Sequence, residues 1–140
     1  MGIFISKSES DTYEFGKKLG ETLVGGEVIL LKGDLGAGKT VFTKGLAKAL
    51  GIDNEIKSPT FTYMLIYEGE NISLYHFDAY RLQSGQEAEE RGFNEYFGAK
   101  EGVCVIEWPQ NIQSCFEWLD TINIEINYID EQTREIKIND

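Results

Sequence analysis

Eight residues in the first third of the chain have the types and spacing of a phosphate-binding loop. The segment GDLGAGKT matches the pattern G-x-x-x-x-G-K-[ST], and its glycines let backbone N–H groups approach an anion closely. Lys39 would reach the β- and γ-phosphates of a nucleotide, as a candidate catalytic residue, and the Thr40 hydroxyl would bind Mg²⁺. A glycine-rich turn without a ligand is the alternative. The candidate nucleotide-binding residues of this segment are Gly33, Asp34, Leu35, Gly36, Ala37, Gly38, Lys39 and Thr40.

Two carboxylates each follow a short apolar run and are candidates to complete a nucleotide site. Glu107 follows residues 103–106, which are all apolar, and Asp78 follows residues 74–77. Because ligands of α/β proteins bind outside the carboxyl ends of parallel strands, we expect Glu107 beside the glycine-rich loop. An exposed strand end for Glu107 and a turn-capping role for Asp78 are the alternatives. Within the loop, we expect the side chain of Asp34 to point outward, because its charge would repel phosphates.

The residues around the loop predict the strand and the helices that position it. An apolar stripe of Phe15, Leu19 and Leu23 predicts a first helix that starts at a capping-box-like segment, residues 11–14. Residues 28–31 form a continuous apolar run, which is typical of a buried parallel strand. A second helix is predicted after the loop.

The rest of the chain predicts further strands of the same sheet. Residues 103–106 predict another buried strand, and residues 61–67 with 72–77 predict an antiparallel hairpin. A second hairpin is predicted near the end of the chain from two strictly alternating segments. We therefore predict that residues 1–140 form a single α/β P-loop NTPase domain. Its central sheet is expected to be mixed and mainly parallel, flanked by helices and extended by β-hairpins.

Acidic residues are in excess, and they are unevenly placed. The 140 residues include 24 Asp or Glu and 13 Lys or Arg, which gives a formal net charge of −11. Residues 1–57 hold eight acidic and eight basic residues, whereas residues 58–140 hold sixteen acidic and five basic ones. Because nucleic-acid binding depends on Lys and Arg that neutralise phosphates, we expect no direct high-affinity binding of nucleic acid by this chain alone.

The cysteines and the hydropathy pattern indicate a cytoplasmic protein. Cys104 and Cys115 lack the spacing of a zinc site or a redox motif, so reduced thiols are expected. No run of 18 apolar residues is present, so no membrane-spanning helix is expected. His76 is the single histidine, and a buried strand histidine is favoured over a proton-transfer role.

The sequence favours ATP hydrolysis over two other nucleotide-dependent functions. An Asn-Lys-x-Asp segment, which would read guanine, is absent. The chain has three arginines, fewer than small-molecule kinases often use to hold a transferred phosphate. A small-molecule kinase and a nucleotide-dependent binding module stay open as alternatives.

Four motifs in order resemble the TsaE (YjeE/YdiB) family, the bacterial P-loop ATPases of tRNA N6-threonylcarbamoyladenosine biosynthesis. They are the glycine-rich loop, KSPTF at residues 57–61, HFDAYRL at residues 76–82 and IEWP at residues 106–109. The resemblance extends over essentially the whole chain. It implies a weak Mg²⁺-dependent ATPase that acts in the cytoplasm with the TsaD and TsaB proteins. The partners would carry out the threonylcarbamoyl transfer to adenosine 37 of ANN-decoding tRNAs, and no membrane or direct tRNA binding is implied.

The same resemblance assigns roles to individual residues. Thr40 and Glu107 would hold Mg²⁺, and Asp78 would position water or couple the nucleotide state to movement. Ser58 and Thr60 would form a switch-like loop near the γ-phosphate, although a plain turn is the alternative for Ser58. Arg134 and the segment from Glu9 to Thr12, with Ser10 and Thr12 as candidate nucleotide-binding residues, would form the adenine pocket, and helix capping is at least as good an interpretation for Thr12. Trp108 would lie beside the nucleotide or a partner surface.

Overall fold

A seven-stranded sheet forms the centre of the protein in the computed structural model, which describes residues 2–34 and 36–139. The strands are β1 (Gly2–Ser6), β2 (Val28–Lys32), β3 (Met64–Tyr67), β4 (Ser73–Asp78), β5 (Gly102–Glu107), β6 (Ile122–Tyr128) and β7 (Arg134–Asn139). The α-helices are α1 (Glu9–Glu21), α2 (Lys39–Ala49) and α3 (Gly85–Glu90). Two 3₁₀ segments, Phe93–Glu95 and Pro109–Phe116, flank β5.

The strand order confirms the predicted mixed sheet. The order is β1-β7-β6-β2-β5-β4-β3. The four central strands, β6, β2, β5 and β4, are parallel, and the outer pairs are antiparallel. Leu31 of β2 and Asp78 of β4 both lie opposite Glu107 of β5. The register therefore brings the two candidate carboxylates together where β2 ends.

Alternate residues of β2 face two hydrophobic layers. Ile29 and Leu31 pack with Phe42 and Leu46 of α2, whereas the next residues along the strand pack on the opposite face with α3 and the 3₁₀ segments. A fully buried Leu, Ile or Phe side chain contributes roughly 1.5–3 kcal/mol to the free energy of folding. The sheet is thus held from both sides, and the loop after β2 starts from a rigid strand.

Helices α1 and α2 cross at unusually close range because glycine lies at their contact. A Cβ atom on Gly16 would lie 2.1 Å from the Phe42 carbonyl oxygen, and one on Gly45 would lie 2.0 Å from the Tyr13 carbonyl oxygen. The predicted stripe of α1, residues Phe15, Leu19 and Leu23, packs against the same core. The close crossing fixes α2, whose first turn carries Lys39 and Thr40.

Two predicted boundaries are wrong by a few residues. Helix α1 begins at Glu9 and not near Asp11, because the Ser8 side chain is its cap and accepts a hydrogen bond of 3.1 Å from the Asp11 N–H. Thr12 therefore does not cap the helix. Strand β3 begins at Met64 and not at residue 61, because residues 60–63 form a turn that donates N–H groups to the Pro59 carbonyl.

Both cysteines are free thiols. Cys104 is buried in β5, where burial raises the pKa of its thiol to about 12. Burial also raises the pKa of the partly buried Cys115 thiol. No helix in residues 2–34 and 36–139 has both the length and the apolar character needed to cross a bilayer.

Candidate functional site

The glycine-rich loop joins β2 to α2 at the carboxyl edge of the parallel strands. Gly36 and Gly38 have φ angles of 81° and 105°, a left-handed conformation that glycine adopts without steric cost. Gly33 lies against β6, where a Cβ atom would be 2.7 Å from the Ile126 carbonyl oxygen. No side chain caps the N-terminus of α2 at Gly38, so the first backbone N–H groups of that helix are directed toward the loop. The prediction for Leu35 lies outside the described residues.

Lys39, His76 and Glu107 form a buried cluster beneath the loop. The Lys39 ammonium lies 3.6 Å from one Glu107 carboxylate oxygen, and His76 Nε2 lies 2.7 Å from the other. Burial alone would raise the pKa of Glu107, but the His76 hydrogen bond and the charge of Lys39 lower that pKa below its usual value. Glu107 therefore carries a negative charge at neutral pH. It is not the exposed strand end considered from the sequence.

Asp78 organises a second polar group beside this cluster. Thr60 Oγ1 donates a 2.9 Å hydrogen bond to Asp78 Oδ2, and Ser58 Oγ lies 2.6 Å from Thr60 Oγ1. The Tyr80 N–H donates to Asp78 Oδ1 at 2.9 Å. The residue 57–63 segment is also tied down by Arg81, which donates to the Thr60 and Phe61 carbonyls. Thr60 thus contacts Asp78, the carboxylate predicted to position water, and Ser58 is linked to Asp78 through Thr60.

Trp108 adopts a strained conformation at the edge of the site. Its φ angle is 55°, which is rare for a residue with a side chain of this size. The indole ring lies 4.9 Å from the Lys39 ammonium and 5.0 Å from the Tyr80 ring. A cation over an indole face is held by the ring quadrupole, so Trp108 helps to hold Lys39 in place.

These groups open into one cavity of about 750 Å³, which is within the usual range of ligand sites. Most of the predicted residues line it: Thr12, Gly36, Gly38, Lys39, Thr40, Ser58, Thr60, Asp78, Glu107, Trp108 and Arg134. Thr40 and Glu107 share this space, so a hydroxyl and a charged carboxylate are both available to a divalent cation. Oxygen donors of these two kinds suit Mg²⁺.

Four predicted residues do not line the cavity. Gly33 packs against β6, and Ala37 is buried beside it. Asp34 is exposed, as expected from its charge, and its backbone carbonyl accepts a hydrogen bond from the Ala37 N–H. Ser10 is exposed on the first turn of α1.

Thr12 lines the cavity although it is almost fully buried, and its hydroxyl lies 2.7 Å from Ser6 Oγ.

The structure also shows site residues that the sequence did not single out. Ser8, Val41, Tyr80, Glu131 and Gln132 line the cavity in addition to the predicted residues, and so does Glu9, which the family resemblance includes in the segment from Glu9 to Thr12. His76 is 1% exposed and contacts Glu107, a role that the sequence assigned to neither residue. Strand alternation was a partial signal, because it places His76 and Asp78 on one face of the same strand. The position of Glu107 beside them follows from the pairing of β4 with β5, which only the structure shows.

Comparisons with known proteins agree with this architecture. The family model described as "Threonylcarbamoyl adenosine biosynthesis protein TsaE" matches residues 6–136. A tRNA threonylcarbamoyladenosine biosynthesis protein TsaE from Treponema pallidum is 42% identical over 135 residues, with 96% of this chain and 97% of the relative covered. Another from Aquifex aeolicus is 39% identical, with coverages of 96% and 92%. The crystal structure of YdiB from Bacillus subtilis superimposes with a TM-score of 0.80 at 34% identity, covering 98% of this chain and 83% of that one.

Fold and site together define an α/β protein whose glycine-rich loop, lysine and two carboxylates surround one cavity at the carboxyl ends of parallel strands. The chain belongs to the TsaE family. Membership in this family indicates a role in tRNA threonylcarbamoyladenosine biosynthesis.

Proposed function

We propose that this protein binds ATP with Mg²⁺ in the cavity and hydrolyses it slowly, as the nucleotide-dependent subunit of a tRNA-modifying assembly with TsaD and TsaB. The observation that carries the proposal is the meeting of Lys39, Thr40, Glu107 and Asp78 around one cavity of about 750 Å³. The assembly itself is inferred from the family, and the threonylcarbamoyl transfer is assigned to the partners.

Each of these side chains has a separate task in the proposed reaction. Lys39 binds the β- and γ-phosphates, for which its ammonium must move from Glu107 toward the loop. Thr40 and Glu107 hold Mg²⁺, which when bound would neutralise charge on the phosphates. Asp78, fixed by Thr60 and the Tyr80 N–H, accepts a proton from the attacking water or orients that water.

The binding prediction is tested by calorimetric titration of ATP with and without Mg²⁺. Lys39→Ala should weaken ATP binding by at least roughly 100-fold, because a charge-assisted contact to phosphate is lost. Glu107→Ala should weaken binding by about tenfold with Mg²⁺ and leave it unchanged without the metal. Asp78→Ala should keep ATP affinity and lose turnover.

Lys44→Ala is the matched control. Lys44 is exposed on the same helix and does not line the cavity, so ATP affinity should not change. Equal losses for Lys39→Ala and Lys44→Ala would reduce the effect to net charge and contradict the proposed site.

The assembly is tested by mixing the purified chain with TsaD and TsaB in the presence of ATP or ADP. We expect complex formation to depend on which nucleotide is present, and tRNA threonylcarbamoylation to require this chain over repeated turnovers. An absence of both effects would refute the role in the assembly. ADP release that depends on a small acceptor molecule would instead identify a kinase. The arginines disfavour that outcome, because Arg81 and Arg134 donate to backbone carbonyls and Arg91 pairs with Glu87.

A further inference from the structure

Arg134 reaches the glycine-rich loop from the far end of the chain. Its Nε–H donates a 3.1 Å hydrogen bond to the Ala37 carbonyl, and one Nη2–H donates a 3.2 Å hydrogen bond to the Gly36 carbonyl. The two acceptors are consecutive carbonyls of the loop, and the guanidinium spans them as a fork. Arginine is the side chain whose planar geometry permits such a double contact.

The guanidinium is itself held firmly on the terminal hairpin. Nη1 donates to the carbonyls of Asp130 and Thr133 in the turn before β7. The guanidinium carbon lies 4.6 Å from the centre of the Tyr128 ring, so the aromatic face supports it. The turn is closed by the Asp130 carboxylate, which accepts hydrogen bonds from the Gln132 and Thr133 N–H groups. Arg134 is thus fixed to the hairpin by contacts other than those it makes with the loop.

We propose that Arg134 is a positioning residue that clamps the glycine-rich loop in its phosphate-binding form, and that it is not a nucleobase contact. The inference rests on the proposed function. In a planar trans peptide the C=O and N–H point in opposite directions, and no cis peptide bond occurs among the described residues. A clamp on the Ala37 carbonyl therefore turns the Gly38 N–H away from Arg134 and toward the interior of the loop.

The hydrogen-bond inventory of Arg134 favours a clamp over recognition of the base. A guanidinium has five N–H groups, and four of them donate to backbone carbonyls. One N–H is left for a ligand. The positive charge of the guanidinium also lies beside the loop and favours an anion there. A lysine would supply that charge equally well.

The test compares ATP with inorganic tripolyphosphate, which has the phosphates without adenine and ribose. Calorimetry measures the affinity of both ligands, at one Mg²⁺ concentration, for the unchanged protein, Arg134→Gln and Arg134→Lys. We expect Arg134→Gln to weaken both ligands by the same factor, roughly 10- to 100-fold, because the loop loses two charge-assisted hydrogen bonds. Arg134→Lys should recover little of this loss, since an ammonium has three N–H groups on one nitrogen and cannot make all four hydrogen bonds that join the loop to the hairpin.

Three results would overturn the clamp. Loss of ATP affinity with unchanged tripolyphosphate affinity would identify a base or ribose contact. Full recovery in Arg134→Lys would reduce Arg134 to a point charge. Unchanged affinities in Arg134→Gln would remove any role. If the unchanged protein binds neither ligand, the proposed function fails first and the clamp fails with it.

Two further variants control for folding and for charge. Arg91→Lys is the matched control, because Arg91 also lies over a tyrosine ring but contacts Glu87 and not the loop. Its affinities should equal those of the unchanged protein. Tyr128→Leu removes the ring that supports the guanidinium. Because that ring is exposed, its removal leaves no cavity in the core. It should weaken both ligands equally by a smaller factor, and weakening of ATP alone would again contradict the clamp.

Discussion

The buried carboxylate of Glu107 depends on its two neighbours for its charge. His76 and Lys39 each contact one of its oxygens, and both side chains are buried. A buried carboxylate that loses a partner keeps its desolvation cost. His76 therefore stabilises the fold through Glu107 as well as by its own packing.

A prediction at the residue scale concerns the contact between His76 and Glu107. His76→Leu should lower the free energy of unfolding by about 1–3 kcal/mol, because Glu107 is left buried with one donor fewer. The double variant His76→Leu/Glu107→Leu should recover much of the loss, since both polar partners are then replaced by apolar ones. Urea unfolding followed by circular dichroism measures both. A double variant less stable than the single one would contradict the coupling.

Site residues that belong to a sequence motif could be predicted. The role of a residue that depends on a contact with a distant part of the chain could not. Lys39, Thr40 and Glu107 belong to recognisable patterns, and the structure places them around one cavity. Arg134 was named only through the family resemblance, as a nucleotide-binding residue, and its contacts with loop residues 97 and 98 positions away in the chain were not predicted. Such a contact depends on the position of β7 in the sheet, which periodicity does not determine.

At the scale of the elements, the crossing of α1 and α2 leaves the least room for larger side chains. Gly16 and Gly45 allow each helix backbone to touch the other, and protein interiors do not absorb an added methyl at such a contact without strain. The crossing also sets the direction of α2. Its N-terminus, and with it the loop, depends on this contact.

Gly16→Ala and Gly45→Ala should each destabilise the protein by roughly 1–3 kcal/mol, because the new Cβ must separate the helices. Helix propensity alone would favour alanine by about 1 kcal/mol, so the sign of the change separates packing from propensity. Thermal unfolding measured for both variants gives that sign. Glu14→Ala, an exposed position of α1, is the control and should stay within about 0.5 kcal/mol of the unchanged protein. A stabilising effect of either glycine substitution would show that the helices separate freely.

The sequence predicted the types of most elements and missed some of their ends. Strands β2 and β5 were recognisable because both are continuous apolar runs, and the two hairpins because their strands are separated by short turns. The start of α1 was misplaced because Ser8 and Asp11 are both good capping residues, and only the structure shows which side chain accepts the bond. The order of strands could not be predicted, since it depends on long-range pairing.

On the scale of the whole molecule, the charge is divided along the chain. Residues 1–57 are neutral overall, and residues 58–140 carry the entire net charge of −11. The neutral part includes the loop and α2, where Lys44 and Lys48 are exposed on the helix that begins at Lys39. The phosphate-binding loop and α2 thus belong to the neutral part of the chain, whereas three carboxylates that line the cavity, Asp78, Glu107 and Glu131, come from the acidic part.

This distribution predicts that the isolated protein does not bind tRNA tightly. Non-specific affinities of basic proteins at physiological salt correspond to dissociation constants of roughly 10⁻⁴–10⁻⁶ M, and an acidic surface should be weaker still. Filter retention of labelled tRNA at about 0.15 M salt should show no saturation up to about 10 µM protein. Saturable retention below that concentration would contradict the prediction and point to a basic surface hidden by the overall charge.

The contact between Lys39 and Trp108 also makes the protein its own optical reporter. Indole fluorescence responds to a charge near the ring, and the Lys39 ammonium lies 4.9 Å from the ring centre. Any ligand that draws the ammonium toward the loop should therefore change the emission of Trp108. The other tryptophan, Trp118, is 93% exposed and should emit as if in water whatever occupies the cavity. A Trp118→Phe variant would leave Trp108 as a single intrinsic probe, with no dye attached to the protein.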